Sequence, residues 1–154
     1  MSAVGVVLAL LCQVTNLSAQ ATNPIIGTWE LNLAKSTFSP GPPPKSDVRT
    51  FEMTPQGIRF MAKITGADGQ PVVAQYTANY DGKDYPITGS PDFDTIAFKA
   101  VDAVRVEITL KKAGKVVQRG TRVISQDGKV YTLTIKGTDV KGQTVNSVMV
   151  YQKR

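Results

Sequence analysis

The chain of 154 residues has no histidine and a single cysteine, Cys12. Without histidine there is no Ser-His-Asp triad and no imidazole-ligated zinc or haem. One thiol closes no disulfide within the chain and builds no cysteine-ligated metal centre. Clustered charge is missing as well. The 18 basic residues outnumber the 12 acidic ones, giving a net charge of +6, but they are scattered over the chain apart from short pairs such as Lys111-Lys112. No basic cluster is interleaved with aromatics, so nucleic acid is not an expected partner. No window from Ile25 onward carries a 3.6-residue apolar period of useful length, which argues against helices.

The apolar run Val4–Leu11 is too short for a membrane span, which needs about 20 apolar residues, so no stable membrane insertion is expected. Polar Gln13-Val14-Thr15-Asn16 follows, and then Ala19-Gln20-Ala21, an A-x-A cleavage pattern. Residues 1–21 therefore read as a signal peptide, cut after Ala21 or after Ala19, although no Lys or Arg precedes the run. Cys12 does not make a lipoprotein anchor site, because Leu10-Leu11 stand where small residues are wanted. The expected location is secreted or periplasmic, and residues 22–154 form one domain without a thiol.

What is abundant is strand and turn chemistry. Val, Thr, Ile and Tyr are punctuated by 13 Gly and 9 Pro, the balance of a sheet protein. Trp29, Leu31 and Leu33 alternate with Thr28, Glu30 and Asn32. Val104, Val106, Ile108 and Leu110 alternate with Arg105, Glu107, Thr109 and Lys111. This period of two marks half-buried strands. Turn signals at Thr54–Gly57, Ala67–Gly69, Asp81–Lys83, Gly89–Pro91, Ala113–Lys115, Asp127–Lys129 and Val140–Gly142 give a hairpin rhythm.

The pattern predicts nine strands, near 26–33, 47–54, 57–65, 71–81, 94–100, 103–112, 115–125, 129–137 and 143–152. The fold class is all-β. A single up-and-down antiparallel β-barrel of roughly 8–10 strands is the simplest topology, because closure removes exposed edges; a two-sheet sandwich is the alternative. The Pro-rich loop 34–46, holding Pro40-Gly41-Pro42-Pro43-Pro44, suits extended backbone. It is either a surface connector or a segment across the barrel rim, with Phe38 its inward side chain.

Three strands mix polarity, and a cavity would have to be lined from them. Ala74, Tyr76, Ala78 and Tyr80 share one face. Val145, Ser147, Met149 and Tyr151 share another. On strand 115–125 two orientations are open. One packs Val117, Thr121 and Val123 inside; the other turns Gln118 and Arg122 inward, where Arg122 would anchor a carboxylate or another polar head. The candidate ligand-binding residues are Phe38, Tyr76, Tyr80, Gln118, Arg122, Met149 and Tyr151. No catalytic residue, metal ligand or cofactor site is expected. Asp92 and Asp94 beside Pro91 read as a solvated turn.

Gly27-Thr28-Trp29-Glu30-Leu31 resembles the opening strand of the calycin barrels, the lipocalins and fatty-acid-binding proteins. Val148–Lys153 resembles the last strand of the intracellular lipid binders. Lys35-Ser36-Thr37-Phe38, Pro40-Gly41-Pro42 and Tyr80–Pro86 resemble a pattern shared by uncharacterised secreted bacterial proteins. The resemblance implies a lipocalin-like barrel with Gly27 and Trp29 plugging one end. It implies the fatty-acid site less: residues 34–46 are too few for a helix-turn-helix lid, and Met149 stands where the lipid binders carry an Arg ahead of their Tyr. The expected function is binding of a small apolar or amphiphilic ligand by a monomer that is not an enzyme. The alternative is an envelope interaction module with a filled barrel.

Overall fold

A computed structural model describes residues 23–154; the expected signal peptide, with Cys12, lies outside the described residues. Ten strands run in succession: β1 Gly27–Leu31, β2 Ser46–Thr54, β3 Gly57–Thr65, β4 Pro71–Ala78, β5 Asp81–Pro86, β6 Thr95–Ala100, β7 Arg105–Lys112, β8 Lys115–Ile124, β9 Val130–Thr138 and β10 Thr144–Lys153. Each strand pairs antiparallel with its chain neighbour, except β4 with β5, and β1 also pairs with β10. Hairpin turns make this order cheap, since the chain never has to cross the sheet. The two ends of the ten-stranded sheet meet at one isolated bridge, Gln75 with Thr88. The result is a nearly closed up-and-down barrel, and the sandwich is ruled out by the single continuous sheet.

About nine strands were expected, within a barrel of roughly 8–10, and the described residues form ten. The difference is β5, hidden inside Asp81-Gly82-Lys83, which has turn composition but sits at a register shift between Asp81 and Asp84 against β6. Such a bulge tolerates a Gly that regular pleating would not favour. Strand 71–81 accordingly divides into β4 and the start of β5.

After β1, a single 3₁₀ turn, Leu33–Lys35, is capped by Asn32, whose Oδ1 accepts from Lys35 N at 3.1 Å. The chain then resumes pairing with β10: Thr37 N donates to Val148 O at 2.8 Å and Asn146 N donates to Ser39 O at 2.8 Å. Only then do Pro40–Lys45 cross to β2.

The end of the barrel near Gly27 is closed by aromatic packing. Trp29 is fully buried; its indole N–H donates to Ile25 O at 2.7 Å, and its ring meets Tyr131 edge-on at 4.9 Å. Gly27 turns the chain into the barrel at φ 128°, a conformation costly for any residue with a Cβ. Full burial of such rings contributes about 1.5–3 kcal/mol each, which makes this end the rigid base.

A candidate ligand cavity inside the barrel

Strand pleating turns alternate side chains inward, and above the Trp29 end these inward chains leave a cavity of about 410 Å³. Its floor is aromatic, formed by Phe51, Phe60, Tyr76, Phe98 and Tyr131. Phe60 stacks on Tyr76 at 4.5 Å and tilts against Phe51 at 5.0 Å. Its middle is aliphatic, with Ile96, Ile108, Leu110, Leu133, Ile135 and Met149. Its far end is polar and lies among Ser39, Ser90, Asp92, Gln118, Asp139 and Ser147. These belong to turns and strand ends opposite Trp29, so the mouth lies between the Ser39-Pro40 segment, the 89–93 loop and the turn at Asp139.

The orientation of β8 is settled by its neighbours. Directly opposite residues on antiparallel strands share a face, and Arg122 pairs with Leu133 while Gln118 pairs with Gly137. Leu133 is buried, so Arg122 must face inward with it. Arg122 and Gln118 keep only 4% and 5% of their surface exposed, whereas Val117, Thr121 and Val123 are half-buried on the outside. The assignment that packs these three inward is therefore corrected. Between the two inward polar residues stands Gly120, where a Cβ would lie 2.2 Å from Thr134 O. Only glycine lets β8 approach β9 this closely.

Arg122 has little to hold its charge. Nη2 donates to the Tyr80 hydroxyl at 2.5 Å, and Nε is buried without a partner among the described residues. Among the described residues no carboxylate makes an ion pair with it. The guanidinium carbon instead lies 5.4 Å from the Phe51 ring, 5.2 Å from Tyr80 and 5.8 Å from Phe98. These ring faces supply partial compensation, of order 2 kcal/mol when desolvated, but no counter-charge.

A second inward cation, Arg49, is differently placed. Its Nη2 lies 2.9 Å from Asp47 Oδ2, and its Nε donates to both carboxylate oxygens. Tyr151 donates its hydroxyl to the same carboxylate at 2.7 Å, and the Arg49 guanidinium stacks 4.3 Å above the Tyr151 ring. Burial alone would loosen the Arg49 proton, but Asp47, with Tyr151 and Tyr131, outweighs it and holds the pKa well above normal. Burial likewise pushes the Tyr151 and Tyr76 phenols well above their ordinary range. Tyr131 is pushed up to about 12, mainly by burial. Its hydroxyl faces this cluster but forms no hydrogen bond among the described residues.

Of the candidate residues, Tyr76, Gln118, Arg122 and Met149 line the cavity. The other three do not. Phe38 packs on the core from the segment beside β10, Tyr80 supports Arg122 from the side, and Tyr151 is spent on Asp47. Arg49 and Asp47 were not anticipated, nor was Tyr131. Asp92 is not simply solvated: its Oδ1 accepts from Val140 N at 3.0 Å, tying the 89–93 loop to the neighbouring turn. Asp94 accepts from Ala113 N at 3.1 Å and is exposed.

No family model matches the chain, and no curated protein does. Among solved structures it is similar to zebrafish ileal bile acid-binding protein complexed with cholic acid. That likeness is 13% identity at a TM-score of 0.49, covering 85% of this chain and 99% of the other. It is also similar to a redesigned β-barrel, mFAP1, bound to DFHBI, at 16% identity and a TM-score of 0.42, covering 84% and 95%. At these scores neither bears on what the cavity holds, which has to be argued from its own residues.

Proposed function

We propose that this protein binds a small monoanionic amphiphile in the barrel, its acidic head on Arg122 and its apolar body among the aliphatic walls. One observation carries the reading: Arg122 is buried and borders the cavity, and among the described residues its Nε has no partner and no carboxylate pairs with it. An uncompensated buried cation is costly. A carboxylate from the ligand supplies the missing charge through hydrogen bonds about twice as strong as neutral ones. At the deep end, Arg49 is paired with Asp47 and Arg122 has no counter-charge, so a single anionic head balances it there, while Asp92 and Asp139 stand at the mouth. The cavity of about 410 Å³ has room for on the order of 14 heavy atoms at ~30 Å³ each. Such a volume falls within the usual range for ligand pockets.

The role is binding rather than catalysis, in keeping with the absence of histidine. We place the protein outside the cytoplasm on the strength of the N-terminal pattern at residues 1–21. N-terminal sequencing of the mature protein from its own source checks that placement. Binding is checked by calorimetry with dodecanoic acid and with dodecan-1-ol, which share a chain and differ in head charge. Wild type should prefer the acid, and Arg122→Met should lose that preference. Equal affinity for acid and alcohol in wild type would contradict the reading.

A further inference from the structure

We infer that the ligand carries a hydrogen-bond donor, a hydroxyl, at the end opposite its acidic head. This rests on the orientation proposed above, head group deep and tail toward the mouth. It comes from a separate set of residues.

Gln118 is the central one. Its Nε2 donates to Thr138 O at 3.1 Å; a backbone carbonyl can only accept, so the amide is fixed with its oxygen away from Thr138. Gln118 is 5% exposed and borders the cavity, yet among the described residues its Oε1 accepts no hydrogen bond. Two carboxylates border the same end of the cavity. Asp139 Oδ1 accepts from Lys141 N and Gln143 N, at 2.9 and 2.8 Å, and Asp92 Oδ1 accepts from Val140 N. For both, Oδ2 accepts nothing among the described residues. Ser147 Oγ, also at this end, is already taken as an acceptor by Ser39 N at 3.2 Å.

Beside its serine hydroxyls the mouth thus offers three acceptors to which no protein group donates among the described residues, Gln118 Oε1 and one carboxylate oxygen each of Asp92 and Asp139. A plain alkyl tail that displaced water here would leave the Gln118 carbonyl unpaired, the expensive side of hydrogen-bond energetics. A terminal hydroxyl would donate to it and also keep contact with the carboxylates. A site built to hydrogen-bond a hydroxyl rejects the analogue that lacks one. A second carboxylate on the ligand would meet Asp92 and Asp139 and be repelled. Gln118 and Arg122 lie four residues apart on β8, about 13 Å at ~3.3 Å per residue. That separation sets the span between head and hydroxyl. The cavity is therefore polarised along its axis, cation at the floor and acceptors at the mouth, and the ligand class is a distally hydroxylated amphiphilic acid.

Calorimetric titration with dodecanoic acid, ω-hydroxydodecanoic acid and dodecanedioic acid tests this. The hydroxy acid should bind about tenfold tighter than the plain acid, one hydrogen bond's worth, with the diacid weakest. Gln118→Leu should abolish the preference for the hydroxy acid while leaving dodecanoic acid within about twofold, the size of effect expected when only the tail contact changes. Asp139→Asn keeps the turn-capping carbonyl and should relieve the rejection of the diacid; it serves where Gln118→Leu melts early. If the plain acid or the diacid binds at least as tightly as the hydroxy acid, and Arg122→Met still weakens all three, the tail inference is overturned alone. If none of the acids binds, the head-group reading falls and this inference with it.

Discussion

Arg49 and Arg122 both turn into the barrel, but Arg49 meets a carboxylate at 2.9 Å and a tyrosine ring at 4.3 Å, whereas Arg122 meets one phenol and leaves Nε empty. The first arrangement is complete within the chain: charge, hydrogen bonds and ring face are all supplied by β2 and β10. The second is incomplete in the same low-dielectric interior. A complete buried pair holds β2 against β10. An incomplete one is where we propose that the head group of the ligand sits.

The sharpest way to break this contrast is to make Arg49 resemble Arg122. Asp47→Ala strands the Arg49 cation and the Tyr151 hydroxyl together. Denaturant unfolding should show a loss of about 3–5 kcal/mol, as for other buried pairs broken on one side. The converse change, Arg122→Met, should leave unfolding stability unchanged or slightly higher, because it removes a charge without a partner. It should instead weaken dodecanoate binding by roughly 10- to 150-fold, the worth of a hydrogen bond to a charged group.

Tyr76, Tyr131 and Tyr151 add a pH dependence. Their folded pKa values are raised, Tyr131 to about 12 from an ordinary 10.0, so the unfolded chain releases these protons first. The stabilisation is whole below about pH 10 and is lost as pH climbs from 10 toward 12. Each such phenol should cost about 1.4 kcal/mol per pH unit in that window. Melting curves across it should fall less steeply for Tyr131→Phe. The smallest effect belongs to an ion pair on the outer wall. Arg59 and Glu52 pair across β2 and β3 with side chains 58% and 51% exposed, and Arg59→Ala should change stability by under about 1 kcal/mol, less still in high salt.

Much of the barrel could be read from alternation alone. Val106, Ile108 and Leu110 on β7, and Tyr131, Leu133 and Ile135 on β9, are inward and buried as their period of two requires. β5 escaped because Asp81-Gly82-Lys83 is turn chemistry used inside a bulged strand. The site was harder for a different reason. On β2 the period of two puts Asp47 and Arg49 on the same face as buried Phe51, but their charges made them read as solvated. What permits their burial is that each neutralises the other and that Tyr151, far away in the sequence, donates to Asp47, which a composition rule does not register. On β8 both faces hold branched apolar residues, so only the register with Leu133 decides that Arg122 points inward. Met149 and Tyr151 lie on one face, yet only Met149 reaches the cavity, since the Tyr151 hydroxyl is drawn to Asp47.

The difference between the two arginines can be observed directly by NMR of protein carrying ¹⁵N-labelled arginine, following the guanidinium Nε–H signals as dodecanoic acid is added. The Arg122 signal should shift and become protected from solvent exchange while the Arg49 signal stays in place. An unmoved Arg122 signal at saturating acid, or a shift at Arg49 alone, would contradict the head-group proposal.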